Sequence, residues 1–208
     1  MKRVRAAIVG ASGYSGEELL RLLQRHPCVD ITCITSRQYE GQGIGVVFPR
    51  FAESDLAFVA PDAAAIAAVS DVAFLALPHG LATEFALPLL AAGVKVIDIS
   101  ADFRLRDPAK YQRYYKEPHP APEMLAKAAY GLPERYRGEI ARADLVACAG
   151  CYPTSVILPT AALLAAGLAS PKGIAAVSMS GVSGAGRKVD LPYIFPECNE
   201  SVRPYAIT

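Results

Sequence analysis

The 208-residue sequence has almost no net charge: 21 Lys and Arg stand against 20 Asp and Glu, a formal +1 at neutral pH. No broad field therefore draws it to nucleic acid or to anionic lipid, and any anion must be held by local groups. It also lacks a long apolar run. The most apolar stretch, VILPTAALLAAGLA, is broken by Pro159 and falls short of the roughly 18 to 20 residues a membrane-spanning helix requires. The basic start MKRVRAAIVGASGYSG meets glycines after a short apolar run and does not read as a signal peptide. The cysteines are Cys28, Cys33, Cys148, Cys151 and Cys198. This odd set has no disulfide-framework spacing, so free thiols in a reducing cytoplasm are expected. A zinc site needs about four ligands, and CAGCYPTS, with no second C-x-x-C and no nearby Cys/His pair, does not supply them. No metal is expected.

What is present is apolar residue in short, ordered blocks. RAAIVG reads as a strand, GEELLRLLQRH as a helix ended by Pro27, and VDITCITS as a second strand. DVAFLALP and VKVIDIS flank the helical stretch GLATEFALPLLAAG. Continuous apolar strands suit a sheet covered on both faces by crossover helices, so the expected architecture is an α/β, doubly wound parallel sheet. Between residues 102 and 144 the sequence is rich in Tyr, Pro and charge, and is expected to form an insertion over the sheet's edge. A strand LVACAG, a helix PTSVILPTAALLAAGL and a further strand GIAAVSMSG follow.

IVGASGYSGEELLRLL places Gly10, Gly13 and Gly16 directly after the first strand and at the opening of the first helix. Glycines there permit a tight turn and let backbone N–H groups approach a pyrophosphate at the helix N-terminus. A structural βα turn that binds nothing is the competing reading. An acidic residue at the end of the second strand would accept the ribose hydroxyls of NAD. Here Ser36 and Arg37 occupy that place and Asp30 comes too early, a hydroxyl and guanidinium that favour the 2′-phosphate of NADP. A solvated surface arginine is the alternative. The chain therefore divides into an expected nucleotide-binding Rossmann domain, 1–150, and part of a second domain, 151–208, too short to stand as a complete unit.

Cys151 follows a strand and opens a helix with Pro153 in its first turn, where aligned backbone dipoles favour a thiolate. Gly150 before it allows a substrate close approach. Cys148 lies back on the strand, in the wrong register for a thioredoxin-like pair. SGVSGAGRK, residues 180–188, is a second glycine-rich loop, whose amides with Arg187 and Lys188 suit a phosphate or carboxylate as well as a plain surface loop does. His26 reads as a helix-end residue, His79 as a turn residue on the ligand side of the sheet, and His119, between Pro118 and Pro120, as a surface residue.

The segments GASGYSGEEL, TSRQYEGQ, ALPHG, DISADFRL, YGLPE, GCYPTS, SGVSGAGR and ECNESVRPY occur in this order. In combination they resemble the N-acetyl-γ-glutamyl-phosphate reductases of arginine biosynthesis, relatives of aspartate-semialdehyde dehydrogenase. The resemblance implies a Rossmann domain followed by an α+β domain that carries catalysis and subunit contacts, in an NADP-dependent oxidoreductase, homo-oligomeric and cytoplasmic, that acts on a small acyl phosphate through a thioester on Cys151. It further implies that Gly10, Ser12, Gly13, Tyr14, Ser15, Gly16, Pro78, Ser183 and Gly184 hold the cofactor, with Ser36 and Arg37 at its adenosine end. Ser100, Arg104, Arg187 and Lys188 are the implied substrate-side residues. Cys148 and Ala149 depart from the family's usual Asn-Pro or Ser-Pro before Gly-Cys, which is expected to loosen the turn that aims Cys151. The family's acid/base histidine lies past NESVRPY, so these 208 residues alone are expected to be weakly active or inactive. Competing readings are the same chemistry on an aspartyl or carrier-linked glutamyl or aminoadipyl phosphate, a non-catalytic dinucleotide-binding fragment, and a cysteine-dependent hydrolase or thiol oxidoreductase.

Overall fold

A computed structural model describes residues 3–187 and 189–205. Strand β1 (Val4–Val9) leads into helix α1 (Tyr14–Leu23), and β2 (Val29–Thr35) into the short α2 (Ile44–Val47). After them come β3 (Phe58–Val59), α3 (Ala63–Val69), β4 (Val72–Leu75), α4 (Ala82–Ala91) and β5 (Lys95–Asp98). The strands form one parallel sheet in the order β3-β2-β1-β4-β5-β7-β6. The doubly wound parallel sheet read from the sequence is therefore present. Winding runs outward from β1 through β2 to β3, then returns to β4 on the other side of β1. The C-terminal ends of β1 and β4 thus flank the crevice where such sheets take ligands.

Continuous apolarity in β1 has a direct cause. Ala7 and Val9 face a core shared with Ile66 of α3 and Phe85 and Leu89 of α4. Ile8 points the other way, into a core with Leu20 of α1, Ile34, Phe48 and Phe58. Both faces are covered, so alternation along the strand finds no water on either side. Each of the larger side chains among them, Val9, Ile8, Leu20 and their like, contributes about 1.5–3 kcal/mol by its burial.

The segment expected as an insertion over the sheet's edge does more than cover it. It folds as α5 (Pro108–Tyr115), α6 (Pro122–Leu125), β6 (Ala129–Gly131) and α7 (Pro133–Ile140). β6 is itself the edge strand, pairing in parallel with β7 (Leu145–Cys148). His119, read as a surface residue, is instead only 5% exposed. Its ring meets Phe103 and Tyr111 edge-on at centroid distances of 5.2 and 4.8 Å, an aromatic enclosure that flanking prolines do not announce.

Beyond β7 the chain enters α8 (Cys151–Ala165), which has no buried residue. The strand expected over GIAAVSMSG does not form. Val177 and Met179 are 91% and 85% exposed, and a strand exists only where a neighbour accepts and donates its ladder bonds. Short 3₁₀ turns over Val182–Ala185 and Leu191–Tyr193 and helix α9 (Phe195–Cys198) follow. Among the described residues no helix is long and apolar enough to cross a membrane.

Candidate functional site: a glycine loop and a cysteine turn at the C-terminal end of the sheet

Gly10 ends β1 with φ of 81°. A Cβ there would sit 2.4 Å from the Ala76 carbonyl oxygen at the end of β4, so glycine closes the crevice between the two strands. Gly16 presses α1 onto the loop: a Cβ would lie 2.5 Å from Ala11 Cα. Gly13 is different, since its nearest neighbour would be 3.7 Å away. Space above it is open, and as the N-cap of α1 it places no side-chain oxygen on the first-turn amides. The loop is anchored to β2, where Ala11 N–H donates to the Thr35 carbonyl at 3.0 Å and Gly10 N–H to Thr35 Oγ1 at 3.2 Å.

Ser36, next along, is buried and its hydroxyl donates to Ser12 Oγ at 3.0 Å, joining the glycine loop to the end of β2. Arg37 is exposed beside it, while Asp30 pairs with Arg3 at 2.9 Å at the strand's opposite end. Tyr14 and Ser15 are exposed in the first turn of α1, and Pro78 is exposed in the turn after β4. The residues read as a cofactor cradle therefore converge, except Ser183 and Gly184. Those two lie in the later 3₁₀ turn, which approaches through Arg187. Lys188 lies outside the described residues.

Cys151 is the first residue of α8, with Gly150 as N-cap and Thr154 N–H donating to the Gly150 carbonyl at 2.9 Å. It is exposed, and Cys148, the last residue of β7, is half-buried; all five cysteines are free thiols. Burial pushes the Cys148 thiol up to about 11, with the Asp98 carboxylate raising it further and Arg104 opposing. The turn between the two cysteines is held from two sides. Arg104 Nε donates to the Cys148 carbonyl and its Nη2 to the Ile99 carbonyl, both at 2.7 Å. Ala149 N–H donates to the Gly131 carbonyl of β6 at 3.2 Å, a bond that proline at 149 lacks the hydrogen to make. The expected loosening at Cys148-Ala149 is thus answered by an extra tie to the edge strand. Gly131 completes the fit, because a Cβ on it would lie 2.7 Å from Cys148 Cα.

Ser100 belongs to the scaffold behind this turn. Its N–H and hydroxyl both donate to the Asp98 carboxylate at 2.9 Å, and its Oγ accepts from Asp102 N–H at 3.1 Å. Asp102 accepts from Gly80 N–H at 2.8 Å and Ala82 N–H at 2.9 Å, and pairs with His79 Nδ1 at 2.7 Å. Sequence reading missed Asp98 and Asp102; only the spacing of DISADFR hinted at them. Burial pushes the Asp98 carboxyl up to about 6 against the pull of its Ser100 donors. A carboxyl raised in the folded state holds its proton more tightly there than when unfolded. The resulting stability is complete below pH ~4, is lost as pH rises through ~6, and amounts to about 3 kcal/mol. Urea unfolding between pH 4 and 7 is expected to show this fall and to lose it in Asp98→Asn; an equal fall in both proteins would contradict the assignment.

The fold and these two loops define a class. Residues 5–143 match the semialdehyde dehydrogenase NAD binding domain, and residues 151–208 match the semialdehyde dehydrogenase dimerisation domain. The chain belongs to the semialdehyde dehydrogenase family. Within it, the chain is 54% identical over 211 residues to an N-acetyl-gamma-glutamyl-phosphate reductase of Akkermansia muciniphila, covering 100% of this chain and 61% of that protein. It is 50% identical to the same-named protein of Syntrophobacter fumaroxidans, covering 98% of this chain and 59% of the relative. The resemblance read from the motifs is thereby borne out, and the chain spans about 60% of the length of the curated relatives it matches. Among solved structures it resembles aspartate semialdehyde dehydrogenase II of Vibrio cholerae, with TM-score 0.56 and 21% identity over 75% of this chain and 44% of the other. It also resembles aspartate semialdehyde dehydrogenase with NADP from Candida albicans, with TM-score 0.59 and 15% identity over 81% and 48%. Both likenesses establish the fold.

Proposed function

We propose that the chain is the nucleotide-binding and nucleophile-bearing part of an NADPH-dependent N-acetyl-γ-glutamyl-phosphate reductase of arginine biosynthesis. The observation that carries this reading is the placement of an exposed Cys151 at the start of α8, at the same C-terminal end of the parallel sheet as the glycine loop. The Cys151 thiolate attacks the acyl-phosphate carbonyl, the C–O bond to phosphate breaks, and a thioester forms. NADPH, when bound, supplies the hydride that reduces the thioester to the semialdehyde, with the thiolate as leaving group. Arg104 holds the carbonyl of Cys148 and thereby the approach of the turn, while Ser100 sets the loop from which Arg104 projects.

The donor set fits the cofactor. Gly13 leaves open room, the first-turn amides of α1 have no side-chain cap, and Ser36 with Arg37 stands where a 2′-phosphate is held. Gly10, Ser12, Tyr14, Ser15, Gly16, Pro78, Ser183 and Gly184 complete the proposed cradle. The proposed domain division, 1–150 and 151–208, is supported by the change of domain match between residues 143 and 151. A homo-oligomer assembled through the second domain, in the cytoplasm, belongs to the same proposal.

Cofactor choice provides the test. NADPH is expected to bind more tightly than NADH in a fluorescence titration, and Arg37→Ala to weaken NADPH roughly tenfold while leaving NADH unchanged. Equal affinities for the two nucleotides in the parent chain would sink the NADPH assignment.

A further inference from the structure

Arg187 was read as a substrate-side residue, yet its side chain lies against the glycine loop. The guanidinium carbon is 4.8 Å from the centroid of the Tyr14 ring and 4.6 Å from that of Phe48. Its Nη2 donates to Glu17 Oε2, and Glu17 Oε1 takes Arg50 Nη1 at 3.1 Å. A planar cation against two aromatic rings and a carboxylate is a formed seat, although the side chain keeps 37% of its surface in solvent. The ion pair spans 170 positions of sequence, from the first helix to the later glycine-rich loop.

We infer that Arg187 is a positioning residue for the dinucleotide: seated between Tyr14 and Phe48 and paired with Glu17, it pins the Gly181–Gly186 loop over the first turn of α1. The inference rests on the proposed NADPH site and deepens it, since it makes nucleotide affinity depend on a residue outside the sheet. Three features support it. Tyr14 is 45% exposed, so its ring is a platform open to a second layer. Glu17 neutralises the guanidinium on one side only, leaving other N–H donors of the five for an anion above α1. Gly186, with φ of 79°, makes the reversal that delivers Arg187 to its seat.

The test compares this chain with Arg187→Ala, Arg187→Lys and Glu17→Gln. Fluorescence titration of NADPH is expected to show roughly tenfold weaker binding in Arg187→Ala. Arg187→Lys should lose most of the same affinity, because lysine keeps the charge but not the planar stack. Parent-like binding in either variant overturns the inference, the lysine result by showing that charge alone suffices. Tryptic cleavage after Arg187, followed by mass spectrometry without nucleotide, reads the seat independently. Glu17→Gln should be cut several-fold faster than the parent, and equal rates overturn the inference. If the parent chain binds no NADPH, the proposed function fails and with it the nucleotide role of Arg187, while the cleavage rates still decide whether the clasp exists.

Discussion

Alanine at position 10 is expected to cost the folded chain about 2–5 kcal/mol, from a positive φ forced on an L-residue and a methyl group driven into the end of β4. The collision is with a backbone carbonyl, Ala76 O at 2.4 Å, so no side chain can swing aside. Gly16→Ala should be similarly severe, since its Cβ would meet Ala11 Cα and the Gly10 carbonyl oxygen at 2.5 and 2.6 Å. Gly13→Ala is the informative contrast. Its Cβ finds 3.7 Å of clearance at a φ of −79°, and the change at an N-cap is expected to cost only about 0.5–1 kcal/mol. Urea unfolding ranks the three. If Gly10→Ala proved as stable as Gly13→Ala, the close approach of β1 and β4 would be wrong. The same three variants separate folding from binding, because Gly13→Ala should keep most of its stability yet bind NADPH more weakly.

The second large effect concerns the two cysteines. Iodoacetamide near neutral pH is expected to modify Cys151 at least about a hundredfold faster than Cys148, measured site by site by mass spectrometry. Cys151 is exposed at a helix start. Cys148 is half-buried, with its thiol pushed up to about 11, well above an ordinary cysteine, so its thiolate is a trace species at that pH. Equal rates would remove the basis for assigning one nucleophile. Arg104 contributes to the same turn, since it holds the Cys148 carbonyl and its Nη1 lies 3.0 Å from where a Cβ on Gly150, the N-cap of α8, would stand.

Most of the sheet was legible because each central strand is buried on both faces and carries that fact as unbroken apolarity. Gly10 and Gly16 were legible for a related reason: their spacing reflects contacts made within one βα unit. What escaped depends on partners distant in sequence. AYG, residues 129–131, is too short to show a period, and its place is dictated by β7. GIAAVSMSG shows the strand pattern but has no ladder to join among the described residues. His119 sits between two prolines that suggest a surface turn, and only the approach of Phe103 and Tyr111 buries it. The partners of Arg187 were likewise out of reach, because Tyr14, Glu17 and Phe48 lie far from it in sequence.

The position of β6 outside β7 has a consequence for the order of assembly. β6 precedes β7 in the chain, yet β7 is the strand it pairs with. A chain emerging from the ribosome therefore carries residues 129–131 as an unpaired segment until Leu145–Cys148 has been made and has docked on β5. Closure of the sheet's edge and formation of the Ala149–Gly131 tie then become late, shared events. A released chain truncated before residue 145 should leave the 129–131 segment open to protease, and one extended through α8 should close it as the cysteine turn forms.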